Sequence, residues 1–181
     1  HCAYQRGTAE VPGRKADSLM ASPVTVFLDI DGVLNSTSWW ARRTTMEFPY
    51  REFDPACLVR LEQFLDAMDA DLVISSSWRA GRDLTALQDL FNDVATFWDS
   101  GTGLAARIVG ATAILERERG EEVAQWCAEH AVERYVILDD QTDFFETQPL
   151  VWIDPAQGLR DDDVARARQL LLAEAPARDV L

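Results

Sequence analysis

Three short apolar runs rich in β-branched residues, each breaking off in acids or hydroxyls, constrain this chain more than any other feature. Val24 to Leu28 leads into Asp29-Ile30-Asp31-Gly32, Leu72 to Ile74 into Ser75-Ser76-Ser77-Trp78-Arg79, and Tyr135 to Leu138 into Asp139-Asp140. Apolar runs without polar alternation belong to strands buried on both faces, the pattern of a parallel sheet. Leu150 to Ile153 reads as a further strand, and Ile108-Val109 as a short one.

The intervening segments carry helical signals. Asp54-Pro55 starts a helix: the carboxylate caps it, and the proline's missing N–H falls where no partner is needed. Leu58, Leu61, Leu65 and Met68 follow at helical spacing. Asp83 is placed to cap a second helix bearing Leu84, Leu87, Leu90 and Phe91. A third is predicted from Gly120 to His130 with Val123, Trp126 and Cys127 inward. Asp161 or Asp162 is placed to cap a last one bearing Val164, Leu170 and Leu171. Strands alternating with helices predict an α/β fold, a doubly wound, Rossmann-like parallel sheet of about five strands with helices on both faces.

The length of 181 residues suits one domain. Residues 1–22 are expected to be a leader or mobile extension ahead of a single domain over 23–181. Residues 35–53 show no clean period and hold Trp39-Trp40 and Arg42-Arg43, predicting a long functional loop or small flap. The two tryptophans there suit stacking on a substrate base, closing the site from water, or burying the loop against the core. Neither segment between the strand-end motifs is long enough for a large cap domain.

Charge and composition remove several function classes. Thirty-one acidic and 17 basic residues leave a formal charge of −14, whose mean field repels nucleic acid and anionic membranes. A bound divalent cation can invert that field inside a site. Cys2, Cys57 and Cys127 form no CxxC pair, which argues against a disulfide framework or thiolate zinc site and for a reducing cytoplasm. No apolar run approaches the ~18 residues of a membrane span, so no membrane partner is expected. His130 is the only histidine after His1, which excludes histidine-based zinc motifs.

In a parallel sheet, ligands bind at the carboxyl ends of the strands. There Asp29, Asp31, Asp139 and Asp140 meet the hydroxyls of Ser75 and Ser76. Such a concentration of negative charge costs stability unless a cation neutralises it, and oxygen ligands of this kind select Mg²⁺. Of the two first-strand carboxylates, one can attack phosphorus and the other exchange a proton with the leaving group. Gly32 permits the turn between them and the next segment. Taken alone, Ser75 to Ser77 could merely cap the following segment. Arg79 is either a phosphate contact or a surface ion-pair partner.

The motifs Phe27-Leu-Asp-Ile-Asp-Gly-Val-Leu34, Val73-Ile-Ser-Ser-Ser-Trp-Arg79 and Val136-Ile-Leu-Asp-Asp140 resemble, in this order, those of the haloacid dehalogenase (HAD) superfamily of aspartate-nucleophile phosphohydrolases. The resemblance implies a Mg²⁺-dependent phosphomonoesterase acting through an aspartyl phosphate. It implies Asp29 as nucleophile and metal ligand, and Asp31 as general acid/base and main-chain metal ligand. Ser75, or Ser76 in the alternative register, would bind the phosphoryl oxygens, while Asp139 and Asp140 would complete the Mg²⁺ site. The superfamily's third motif is normally a lysine, but Lys15 is the only lysine here. Arg119 in Arg-Gly-Glu-Glu-Val123 is the nearest equivalent, with Arg117 the alternative.

Ser-Ser-Ser-Trp-Arg, Arg-Gly-Glu-Glu-Val and Tyr-Val-Ile-Leu-Asp-Asp further resemble the HAD domains of multi-part "Swiss Army Knife" RNA-repair proteins. That branch implies a nucleic-acid end phosphate as substrate; the open site would equally admit another bulky or small phosphorylated molecule. The missing lysine leaves a catalytically impaired binding or regulatory module as the alternative. A receiver domain would need its phospho-acceptor after the third strand and a lysine after the fifth, and neither is visible.

Overall fold

Each of the apolar runs lies in a strand of one sheet. The computed structural model describes residues 23–43, 52–99 and 101–173. In chain order it contains β1 (Val24–Leu28), α1 (Thr37–Arg43), α2 (Pro55–Met68), β2 (Ala70–Ile74), a 3₁₀ turn (Ser77–Arg79), α3 (Leu84–Trp98) and α4 (Leu104–Arg107). There follow β3 (Ile108–Ala111), α5 (Arg119–His130), β4 (Arg134–Asp139), β5 (Leu150–Trp152) and α6 (Asp161–Ala173). The five strands are all parallel, in the order β3-β2-β1-β4-β5.

That order explains why helices cover both faces. The chain steps from β1 to β2 to β3 toward one edge, then α5 returns it across the sheet to β4. Right-handed crossovers running in opposite directions place their helices on opposite faces. On one face Val26, Leu28, Leu72, Ile74, Val136 and Leu138 join a core with Leu61 and Leu65 of α2, Phe91 of α3 and Leu171 of α6. On the other, Phe27, Val73 and Ile137 pack with Val123, Trp126 and Cys127 of α5. Gly110 allows α5 to lie close on β3, since a Cβ there would stand 2.2 Å from a Trp126 ring carbon.

The helix starts follow the capping chemistry with one correction. Asp54 accepts from the Ala56 N–H at 2.9 Å, and Asp83 from that of Ala86 at 2.8 Å. The last helix begins at Asp161, so neither Asp161 nor Asp162 is its cap. Asp163 reaches back to the Arg160 N–H at 2.9 Å instead, and its fully buried carboxylate pairs with Arg160 and Arg166. The acids of that first turn suit the positive end of the helix dipole.

The expected loop around Trp39-Trp40 is partly helical. Trp39 is buried on α1, edge-on to Trp98 of α3 with ring centroids 5.9 Å apart, so it serves packing. The rest of the predicted flap over 44–51, like the predicted leader over 1–22, lies outside the described residues. The β1–β2 and β2–β3 connections hold only α1 to α4 and short turns among the described residues, so no large cap domain is present there. No helix among them is long and apolar enough to cross a membrane.

Candidate active site

The sheet register sets the site. Leu28 pairs with Ile74 on one side and Leu138 on the other, and Ile74 pairs with Ala111. The next residue of each strand therefore stands in one row, in the order Thr112, Ser75, Asp29, Asp139. Backbone bonds carry the ladder to that row: Asp29 N–H to Leu138 at 3.0 Å, Ser75 N–H to Leu28 at 2.9 Å and Thr112 N–H to Ile74 at 3.0 Å. Side chains two residues apart on a strand share a face. Because Phe27, Val73, Gly110 and Ile137 face α5, the row faces the α5 side too.

The first residue of α5 hangs over this row. Nη1 of Arg119 lies 2.9 Å from Asp29 Oδ2 and 2.6 Å from Asp139 Oδ2. The loop after β4 holds that helix end: Asp143 accepts from the N–H groups of Arg119 (through Oδ2, 3.2 Å) and Gly120 (through its carbonyl, 3.0 Å). Gly120 makes the approach possible, because a Cβ there would come within 2.7 Å of Gln148 Oε1 and 3.0 Å of the Phe144 Cα.

Asp140 completes an acidic cluster. Asp29, Asp139 and Asp140 each offer one carboxylate oxygen within 4.8 Å of the others. Gly32, at φ +76°, passes so near that an added Cβ would stand 2.6 Å from Asp140 Oδ2. Asp139 is pushed up to about 7, first by burial and then by the neighbouring charge of Asp29, against the pull of Arg119. Burial disfavours the charge on Arg119, but Asp29 and Asp139 outweigh it and hold the guanidinium above its ordinary range.

Two of the three carboxylates thus share one guanidinium. The all-oxygen donor set and the space left by Gly32 fit a hard divalent cation such as Mg²⁺. Asp31 stands apart from this carboxylate cluster. Its exposed side chain accepts from Trp78 Nε1 (2.9 Å, on Oδ2) and from Asn35 Nδ2 (2.9 Å, on Oδ1), which leaves it beside the site as a held carboxylate.

A family model for the HAD domain in Swiss Army Knife RNA repair proteins matches residues 25–164. The chain belongs to this HAD family. No curated protein and no solved structure matches it.

Within this HAD domain the structure separates the two serines. The Ser75 hydroxyl is buried without a hydrogen-bond partner, whereas that of Ser76 caps the 3₁₀ turn by accepting from the Trp78 N–H at 3.4 Å. Arg119 reaches the acids, while Arg117 is on the surface with Glu121 at 3.1 Å. His130 stacks on Trp126 with centroids 3.8 Å apart, at the far end of α5. The Cys57 and Cys127 thiols are pushed up, by burial foremost, to about 12 and about 11, which keeps them protonated and inert.

Both sequence readings of Arg79 need correction. It is buried, and its five N–H donors all meet protein acceptors: Nε the Thr112 carbonyl, Nη1 those of Ser75 and Ser76, Nη2 that of Ala113 and the Glu122 carboxylate. It is neither a phosphate ligand nor a surface charge.

Thr112, Trp78 and Asn35 were not recognisable as site residues from the motifs. The Thr112 hydroxyl, like that of Ser75, is buried and unpartnered. The strand-end rule applied to Ile108–Ala111 would have found it. No sequence signal ties Trp78 to Asp31 across 47 residues.

Proposed function

We propose that this HAD domain is a Mg²⁺-dependent phosphomonoesterase working through an aspartyl-phosphate intermediate. The observation that carries the reading is the row Ser75-Asp29-Asp139 with Arg119 bridging its two carboxylates. An unpartnered hydroxyl, a candidate nucleophile and a cation occur together at the strand ends, where such a reaction needs donors for developing charge.

Asp29 attacks the phosphorus of the monoester; a P–O bond to Asp29 forms as the bond to the leaving oxygen breaks, and Asp31 gives that oxygen its proton. A water then attacks the aspartyl phosphate, Asp31 takes its proton, and the bond to Asp29 breaks to release inorganic phosphate. Ser75 donates its hydroxyl hydrogen to a phosphoryl oxygen. Arg119 orients Asp29 and offsets negative charge beside it. Asp29, Asp139 and Asp140 would hold Mg²⁺, which when bound lowers the repulsion between the phosphoryl group and the acids.

The substrate we propose is a terminal phosphate on a nucleic acid. The family supports this, as does a site without a large cap among the described residues. The charge of −14 weakens non-specific nucleic-acid binding, so recognition would centre on the end phosphate. The test is Mg²⁺-dependent hydrolysis of an aryl phosphate, then of 3′- and 5′-phosphorylated oligonucleotides, with Asp29→Asn as control. The expected result is metal-dependent turnover abolished by the substitution; turnover retained in Asp29→Asn overturns the assignment, and none on any substrate favours a binding module.

A further inference from the structure

We infer that Arg79 and Glu122 form a positioning pair that sets the geometry of the phosphoryl-binding groups, an inference that rests on the phosphotransfer reading above. Three chain segments meet at this buried pair. Arg79 binds the carbonyls of Ser75 (2.5 Å) and Ser76 (2.7 Å) after β2, and those of Thr112 (2.9 Å) and Ala113 (3.2 Å) after β3. Its remaining donor goes to Glu122 on α5, whose other oxygen accepts from the Leu115 N–H at 3.0 Å.

Each segment held this way carries a group directed to the site. Ser75 and Thr112 bring the two buried, unpartnered hydroxyls. Glu122 stands three residues beyond Arg119 on the same helix, a spacing that puts both side chains on one face. A shift of α5 relative to β2 would therefore move Arg119 and Ser75 apart, and the Arg79–Glu122 pair is the polar contact that fixes that spacing. The planar fork matters because a lysine offers one nitrogen and cannot meet five acceptors on three segments. Arg79 itself touches no reacting group, since none of its donors is left over.

The test is the steady-state kinetics of Arg79→Lys on an aryl phosphate in saturating Mg²⁺, alone and combined with Ser75→Ala. Misplacing a positioned group by about 1 Å can cost about 100-fold, so kcat should fall by about 10- to 100-fold with KM changed less than about threefold. In the Ser75→Ala background the same substitution should cost at least about threefold less, because part of what it positions is gone. The Mg²⁺ concentration for half-activation should stay within about twofold, since none of Asp29, Asp139 and Asp140 hydrogen-bonds to the pair.

Equal factors in both backgrounds, or a Mg²⁺ requirement that rises in step with the loss of kcat, would mean general loosening and overturn the inference. Should Arg79→Lys not fold, Glu122→Gln, which keeps the shape and one acceptor, takes its place in the same cycle with the same two outcomes. The wild-type rate, measured first, tests the underlying reaction separately. An active wild type with uncoupled variants removes the positioning role alone, and an inactive wild type removes both.

Discussion

Replacing Arg119 by Met removes the cation that bridges Asp29 and Asp139 while keeping much of the side-chain volume. The Arg119 side chain is 22% exposed, and those of Asp29 and Asp139 are 3% and 0% exposed, so solvent screens the loss little. Breaking a buried pair from one side costs about 3–5 kcal/mol. Protonation offsets part of this cost. Asp139 stands at about 7 against an ordinary 3.8, and without Arg119 its tendency to take a proton grows. The folded pKa is the raised one, so in metal-free protein this group's contribution favours folding at low pH and is lost as pH rises from 3.8 through about 7.

In the variant that decline should extend to higher pH. The cost of Arg119→Met should accordingly be near 2 kcal/mol at pH 6 and about 3–5 kcal/mol at pH 8.5. For a domain of this size the latter is a fall of about 6–20 °C in Tm. The assay is thermal and urea unfolding in chelator and in Mg²⁺ at both pH values. With Arg119 gone the acids lose the guanidinium that bridges Asp29 and Asp139, so Mg²⁺ should stabilise the variant more than the wild type, while turnover falls about 100- to 1000-fold. A cost under about 1 kcal/mol in chelator at pH 8.5, together with equal Mg²⁺ stabilisation of both proteins, would refute the view that Arg119 neutralises these carboxylates.

Gly32→Ala should strain a residue at φ +76° by about 1–2 kcal/mol and push Asp140 aside, lowering Mg²⁺ affinity at least about tenfold by titration calorimetry. Unchanged affinity would remove Asp140 from the metal site. Ser75→Ala should cut kcat while leaving stability within about 0.5 kcal/mol, because its buried hydroxyl has no partner to lose; Ser76→Ala should cost about 1 kcal/mol of stability through its lost cap. Apparent Mg²⁺ affinity should weaken as pH falls below about 7, where protons compete for Asp139; a flat profile from pH 8.5 to 6 would argue against that carboxylate as a ligand.

What the sequence made legible was mostly local. Asp54-Pro55 and Asp83 act within a few residues of themselves, so their capping roles could be read directly. The strand-end acids were legible because a buried run stopping in Asp29-Ile30-Asp31-Gly32 has few structural explanations. Of the readings open for Trp39, burial against the core holds, but its place on a helix is not legible, because its partner, Trp98, lies 59 residues away and the intervening segment has no clean period. Arg79 was misread for a similar reason: a lone arginine after three serines looks exposed until the carbonyls of Thr112 and Ala113 are brought beneath it. The sequence offers Asp161 or Asp162 as the last cap, and only the fold singles out Asp163 as the buried acid that reaches back.

The strand order explains why one carboxylate can serve both halves of the site. Across β3, β2, β1 and β4 the row reads hydroxyl, hydroxyl, carboxylate, carboxylate, from Thr112 through Ser75 and Asp29 to Asp139. The chain leaves β1 toward β2 and β4 toward β5, so the crevice of the sheet opens between β1 and β4, with Asp29 and Asp139 on either side of it. Burial foremost, and then the charge of Asp29 on a strand about 4.8 Å away, raise Asp139, and the same closeness of two buried carboxylates lets Arg119 reach both. Donors without charge, Ser75 and Thr112, stand on the other side, where the proposed mechanism would set the oxygens of a phosphoryl group. Asp29 is the carboxylate of the row that has a hydroxyl on one side and a second carboxylate on the other. A slip of β4 by one residue would turn Asp139 to the opposite face and leave Arg119 with Asp29 alone, so the arrangement depends on the β1–β4 register as much as on the acids themselves.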